Sequence, residues 1–440
     1  MIAAVLAIGV IAFWPGIYMS DTHSRWGDAQ ALLMVLPEGG TIVNYLAPMM
    51  TALFLPFLSL GIDPGFVLAG QSLFFYFAFL KFSHNNTDGT EWALLLAALI
   101  PIHFVYLFLI VPDVWVLPLV MLLATVPWAA PDRWGAAVLT TALACFLLFG
   151  FRPNAVVLIA PLLLIVWWTQ WGHKTRATAL SVALAAGLAA SMVIPQWIGF
   201  AGKTNVAIGI VWEHVATLWM AEQMGVEIGP QYSLDFVGDT DQAVREHDFV
   251  SSDYLVWTES PPFRSGHLVM QQDSIFDRFT SLVLAHPSAY VGAKARIIAC
   301  HIGYCGPLRQ TVMGLYSQPG SALSQGYQGG NWFGDRILAF SNLIATTDIL
   351  RHLYTPILWI AAAAVAMISR RHGFSRQDWF AALLLSSYAA SSAITSQAAS
   401  YRYLFPTVFF CVYIVAKALL RRWHRLPRIS LMTLASRSKG

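Results

Sequence analysis

The stretch Tyr18-Met19-Ser20-Asp21-Thr22-His23-Ser24-Arg25-Trp26-Gly27-Asp28 follows directly on an apolar run from Ile2 to Ile17, which stops at Trp14-Pro15-Gly16. Within five residues it offers an acid, an imidazole and a guanidinium. Where a helix leaves a bilayer the usual residues are Lys, Arg, Trp and Tyr, so a carboxylate at that boundary asks for a reason. Asp21 is either a solvated loop acid or a group with chemistry to perform.

Working outward, composition decides the class. Of 440 residues 57% are hydrophobic and 11% charged, against about a quarter charged in an ordinary soluble domain. That reads as an all-α polytopic membrane protein. Its many Trp, Tyr and Phe suit interfacial belts and an apolar groove for a lipid tail. The net charge of +3 is unremarkable and nothing reads as a nucleic-acid patch, so no nucleic-acid partner is expected. The chain has neither a Walker-type glycine loop nor a dinucleotide fingerprint, so no nucleotide cofactor is expected. The first segment lacks a basic n-region and reads as a retained helix. Cys145 and Cys411 lie in apolar runs, while Cys300 and Cys305 are spaced C-x4-C without a second pair to complete a zinc site. In an oxidising compartment they form a disulfide, and otherwise they are two thiols.

Apolar runs lie near 2–17, 45–60, 65–82, 92–111, 114–129, 135–151, 154–171, 178–200, 352–369, 379–397 and 402–420. A span needs about 17 to 25 residues, so 45–60, broken by Pro48 and Pro56, is among the weakest. The short loops rich in basic residues hold Lys174 with Arg176, Arg370 and Arg371 with Arg376, and the tail from Arg421; these belong inside. The parities agree only if 45–60 dips into the outer leaflet without crossing. About ten spans then remain, with both termini inside and the Asp21 loop outside. Residues 1–200 form an N-terminal transmembrane module whose first external loop is 18–46. Residues 201–351 form an external domain, 352–420 the C-terminal transmembrane helices, and 421–440 a basic tail that touches anionic headgroups. Within the external domain residues 206–224 are helical, 230–262 loop-like and 303–334 a glycine-rich loop. Residues 274–302 form an amphipathic helix interrupted at His286-Pro287.

Four polar features meet on the outer face under this topology: Asp21 with His23; Pro112-Asp113, where one apolar run ends and the next begins; Arg152-Pro153-Asn154; and Tyr401-Arg402-Tyr403 before Pro406. Two acids and two arginines at one bilayer depth suit an anionic, lipid-borne reactant. Arginine offers phosphate a planar fork with permanent charge, and a carboxylate can take the proton of a hydroxyl or hold a divalent metal. The structural alternatives are an ion pair of Arg152 or Arg402 with Asp113 or Asp21, a headgroup anchor, and for Asp113 an N-cap. His103 reads as a satisfied buried histidine, and Glu213-His214 as a solvated helix face or an acceptor contact.

These motifs, in this order and on one side, resemble the GT-C superfamily of integral membrane glycosyltransferases, which includes the aminoarabinose transferase of lipid A and the protein O-mannosyltransferases. The resemblance rests on Met19-Ser20-Asp21 after the first helix, the Pro48 segment, Asp113 in the next loop, Arg152-x-Asn154, and Arg402-Tyr403 with Pro406. Two departures stand out. Ala47 precedes Pro48 where relatives often carry His, and Pro112 precedes Asp113 where bacterial relatives commonly carry Lys. The resemblance implies a GT-C-like bundle with a re-entrant or juxtamembrane segment and a periplasmic domain, in a bacterial inner membrane. It implies transfer of a sugar from a polyprenyl-phosphate donor, with inversion, to a glycan, lipid or protein acceptor in the periplasm. Asp21 is then the general base or a metal ligand, and Asp113 orients the acceptor or the metal. Arg152 and Arg402, with Tyr403, bind the donor phosphate, and His23, Arg25 and Asn154 are accessory. Two competing functions are a transporter or flippase for an anionic lipid or solute, and an envelope glycan polymerase or acyltransferase with His103 as its base.

Overall fold

The structure is a computed structural model that describes residues 1–425 except 15, 18–19, 39–41, 44–47, 63–64, 85, 87–88, 130, 202–206, 250–254, 257–259, 304–331, 348–349 and 396–400. It is helical throughout, apart from two-residue strands β1 (Ile42–Val43) and β2 (Phe200–Ala201), which pair in parallel. Among the described residues four helices are long and apolar enough to cross a membrane: Gly65–His84, Trp134–Phe151, Lys174–Trp197 and Arg402–Arg422. A fifth crossing arises if the pair Thr90–Ala98 and Pro101–Leu107, bent by 91°, counts as one. These helices are consistent with a membrane protein.

The first core is built from α1 (Ile2–Phe13), α2 (Ser20–Val35), α3 (Pro48–Ser59), α4 (Gly65–His84), α5 (Thr90–Ala98), α6 (Pro101–Leu107), α7 (Pro112–Thr125), α8 (Trp134–Phe151), α9 (Ile159–Thr169) and α10 (Lys174–Trp197). Helix α7 is its axis: all of its residues are buried, and a helix apolar all round belongs in the middle of a bundle. Pro112 starts it, because a proline in the first turn forfeits only an N–H that has no helical partner.

Two elements differ from the sequence reading. Residues 18–46 contain a helix, α2, where a loop is expected. Its buried positions Thr22, Arg25, Trp26, Ala29 and Leu32 make a stripe on one face, but its mixed polarity hides that stripe from a hydropathy profile. The 45–60 run yields α3, 12 residues long with Pro56 inside it, where a proline removes a helical hydrogen bond.

The polar stretch forms a second core. Helices α11 (Ala207–Gln223), α12 (Thr240–Arg245), α13 (Ser265–Met270), α14 (Gln272–Ala285) and α15 (Pro287–His301) surround buried Trp212, Val215, Phe263, Leu268 and Ile297. The break between α14 and α15 falls at His286, as His286-Pro287 predicts, since the residue before a proline avoids helical angles. The expected loop 230–262 instead contains α12, capped by Asp239, whose Oδ1 accepts from the Gln242 N–H at 2.8 Å. A six-residue helix is too short to leave a periodic signal. Helix α16 (Trp332–Thr346) turns back onto α1 and α6, so Ile344 joins the first core.

Helices α17 (Pro356–Ser369), α18 (Arg376–Thr395) and α19 (Tyr401–Arg425) complete the bundle. The two cores are joined where Lys294 of α15 donates to the Ile394 carbonyl of α18 at 2.6 Å while ion-paired with Glu213 of α11. Cys300 is held in a disulfide, Cys145 and Cys411 are free thiols, and Cys305, the expected partner, lies outside the described residues, as do the last fifteen of the tail, 426–440.

Candidate functional site

The site is built on the short connection between α6 and α7. Its backbone is stitched from two sides. Ile110 donates its N–H to the Ile17 carbonyl at 3.1 Å, and Ile17 donates to the Phe108 carbonyl at 3.3 Å. From α4, Gln71 Nε2 donates to the carbonyls of Leu107 and Leu109. Thr22 in the first turn of α2 then donates Oγ1 to the Ile110 carbonyl at 2.7 Å. The start of α2, which carries Asp21 and His23 on either side of Thr22, is thereby held against the start of α7, which carries Asp113. The side chains of Asp21 and His23 lie outside the described residues.

Asp113 occupies the first turn of α7, where a carboxylate complements the helix dipole. It is 1% exposed and ion-paired with Arg152, which caps α8. The Tyr388 hydroxyl of α18 approaches the same carboxylate at 3.5 Å. The pairing that sequence offered as an alternative for Arg152 is therefore present. Arg152 does not stand alone as a phosphate group, because its charge is shared with a carboxylate that is buried away from solvent.

Tyr403, in the first turn of α19, gathers the rest. The Arg152 guanidinium carbon lies 4.8 Å from its ring centroid and that of Arg402 4.9 Å. Arg402 Nη2 also donates to the Tyr403 hydroxyl at 2.9 Å. Asn154, in the 3-10 turn Pro153–Leu158, accepts at its backbone carbonyl from Ser391 of α18 at 3.0 Å. From the second core, the His301 ring lies parallel to Tyr403, 6.1 Å between centroids. Among the described side chains, one buried carboxylate pairs with one of the two guanidiniums gathered at Tyr403, and the remaining positive charge suits an anion.

Arg25 lies one turn along α2 from Asp21 and is buried. Burial raises the carboxyl pKa of Asp28 on the same helix, and Arg25 opposes the shift. Among the described residues no three His, Cys, Asp or Glu converge as metal ligands, and the Asp113 carboxylate already faces Arg152.

Two histidines fall elsewhere. His103 is buried with Nδ1 donating to the Ala97 carbonyl at 2.9 Å, between Phe405 and Phe409, as a satisfied core histidine should be. His214 is a correction to the expected solvated face: it is fully buried, bonded through Nε2 to the Tyr232 carbonyl at 2.7 Å, and its pKa is lowered by burial to about 4. Beside it Glu213 is held by Lys294.

Sequence reasoning missed Tyr388 and His301. Tyr388 lies in an apolar run and His301 in a segment read for its cysteines; neither carries a local signal, because what defines them is a neighbour distant in the chain. A cavity of about 220 Å³ lies between α1, α4 and α5, lined by Met1, Tyr76, Phe79, Ser83, Glu91 and Trp92 among others. It touches none of the residues above and, with Glu91 as its one charged side chain, lacks their chemistry. No protein-family model matches the chain, and no curated protein or solved structure matches it at a significant level.

Proposed function

We propose that the chain is a membrane glycosyltransferase of the GT-C type, which transfers a sugar from a polyprenyl-phosphate donor to a glycan, lipid or protein acceptor with inversion at the anomeric carbon. The observation that carries this reading is the convergence of Asp113, Arg152, Arg402 and Tyr403, from three separate turns of the chain, beside the first turn of α2.

The chemistry asks little of the protein beyond placement and charge, since phosphate is already a competent leaving group. Asp21 takes the proton of the acceptor hydroxyl as its oxygen attacks the anomeric carbon. The bond from that carbon to the phosphate oxygen breaks on the opposite face, and polyprenyl phosphate leaves with the electron pair. Arg402 stabilises the growing negative charge, with Tyr403 fixing its guanidinium. Arg152 acts through Asp113: the ion pair locks both, so that Asp113 orients the acceptor and Arg152 adds to the positive field.

The proposed topology has ten crossings: α1, α4, the bent pair α5 and α6, α7, α8, residues 153–169, α10, α17, α18 and α19. Both termini lie in the cytoplasm and the site faces the periplasm, in a bacterial inner membrane. The second core, with α11 to α15, is the periplasmic domain. Placement of every basic short loop apart from Arg25, Arg152 and Arg402 on the cytoplasmic side supports this orientation.

One observation favours a transporter instead: the 91° bend between α5 and α6 is a broken helix of the kind transporters use for binding. His103, in the second helix of the pair, is however bonded to the backbone of α5. The test is Asp21→Asn in protein that inserts and folds as wild type does. Transfer from lipid-linked sugar is expected to fall at least about a hundredfold, the usual worth of a general base. Undiminished turnover, or ion-coupled uptake indifferent to lipid-linked sugar, overturns the reading.

A further inference from the structure

His301 ends α15 in a setting that its own domain does not explain. It is 3% exposed, yet neither Nδ1 nor Nε2 has a hydrogen-bond partner. The other buried imidazoles at 103 and 214 each place an N–H on a backbone carbonyl. A buried polar atom is seldom left without a partner, so two on one ring mark either a strained site or a ligand's place. The ring lies parallel to that of Tyr403, planes 14° and centroids 6.1 Å apart, at the residue that gathers both guanidiniums. On the turn beside Arg152, the side-chain Oδ1 of Asn154 is likewise buried without a partner.

The pattern of vacancies selects the ligand. Burial, with the Lys294 ammonium adding to it, lowers the imidazole pKa to about 4, so at neutral pH the ring offers one N–H and one lone pair. A phosphate presents acceptors only and would set its charge against that lone pair. A hydroxyl both donates and accepts, so a sugar hydroxyl can pair with either nitrogen.

Building on the glycosyltransferase reading, we infer that His301 is a positioning residue that binds hydroxyl groups of a pyranose, so that the second core takes part in reading the sugar. The pyranose is either the one being transferred or the acceptor's, and the chemistry of recognition is the same.

The test uses full-length protein in lipid nanodiscs and three probes: farnesyl phosphate, a panel of farnesyl-phosphate hexoses and pentoses, and the matching methyl glycosides. His301→Phe is expected to leave farnesyl phosphate affinity within about twofold. It should weaken the preferred sugar-bearing probe about tenfold or more, one hydrogen bond's worth. His301→Gln, which keeps a donor and an acceptor, should recover part of that affinity. Thermal stability of the Phe variant should hold or rise, because two unsatisfied atoms are gone. A loss confined to farnesyl-linked sugars assigns the donor, and one confined to methyl glycosides assigns the acceptor. The inference is overturned if the sugar adds nothing to wild-type binding, or if the Phe variant weakens all probes alike; the glycosyltransferase reading survives both. If wild type does not bind farnesyl phosphate at all, that reading fails and takes this one with it. Should the Phe variant not insert, the same measurements on His301→Ala decide.

Discussion

The guanidinium of Arg152, at the end of α8, closes on the carboxylate of Asp113, in the first turn of α7, and that carboxylate is 1% exposed. Removing one member of a buried pair strands the other charge and costs about 3–5 kcal/mol, whereas replacing both by apolar groups of similar size is often neutral. Asp113→Asn and Arg152→Gln should therefore each lower the unfolding midpoint in detergent, and Asp113→Leu with Arg152→Met should restore most of it. All three should be inactive in sugar transfer. An active apolar double variant would show that the pair is only structural.

The second core should be acid-sensitive. His214 and His247 both have pKa values lowered by burial to about 4, the latter enclosed by Trp212, Trp219 and Phe249. A histidine whose folded pKa lies below its unfolded value of about 6.5 binds its proton more readily when unfolded. Its contribution is intact above pH 6.5 and declines as pH falls towards 4, by about 1.4 kcal/mol per pH unit for each residue. Thermal melts at pH 7.5, 5.5 and 4.5, followed through Trp212 and Trp219 fluorescence, should show this unit loosening before the bundle. Replacing His247 with Phe should flatten the dependence, and an unchanged slope would remove His247 from the account.

A second buried ion pair tests the opposite end of α19. Lys417 and Asp378 are both fully buried, 2.7 Å apart, and Asp378 also accepts from Tyr413 at 2.6 Å and from Asn86 at 2.9 Å. Lys417 follows Tyr403 by about 21 Å along the helix, far from the guanidiniums. Lys417→Met should cost about 3–5 kcal/mol of stability while leaving turnover per folded molecule within about twofold. Pulse proteolysis and transfer assays on the same preparation separate the two.

Asp113, Arg152 and Arg402 were legible because charges in tight turns between long apolar runs stand out against their surroundings. Their partners were not. Nothing near Tyr388 in the chain says that its hydroxyl meets an acid 275 residues earlier. His301 and His214 read as polar residues of a polar segment, yet both are buried in or against the second core, because burial is set by how α11 and α15 pack and not by local composition. Helix α2 was hidden for a related reason: it buries Arg25 and Thr22 along with Trp26, so its inward face is not an apolar one.

Gly187 tests whether the position of Arg152 depends on the packing beneath it. Helices α8 and α10 run side by side, and a Cβ at Gly187 would sit 2.5 Å from the Ala142 carbonyl oxygen and 2.9 Å from both Cys145 Cβ and the Phe146 nitrogen. Two of these are backbone atoms of a helix, which cannot turn aside as a side chain does, so Gly187→Ala must push the helices apart. Overpacking of this kind costs about 1–3 kcal/mol. The displaced helix is the one that ends at Arg152, and a shift of about 1 Å at a reacting centre can cost a hundredfold in rate. Activity should therefore fall more than stability does. Gly70→Ala on α4, where a Cβ meets nothing within 4 Å, is the control: it should leave activity unchanged and stabilise slightly, by roughly 0.5–1 kcal/mol. Equal behaviour of the two variants in melts and transfer assays would mean that the α8–α10 contact does not set the geometry of the Arg152 turn.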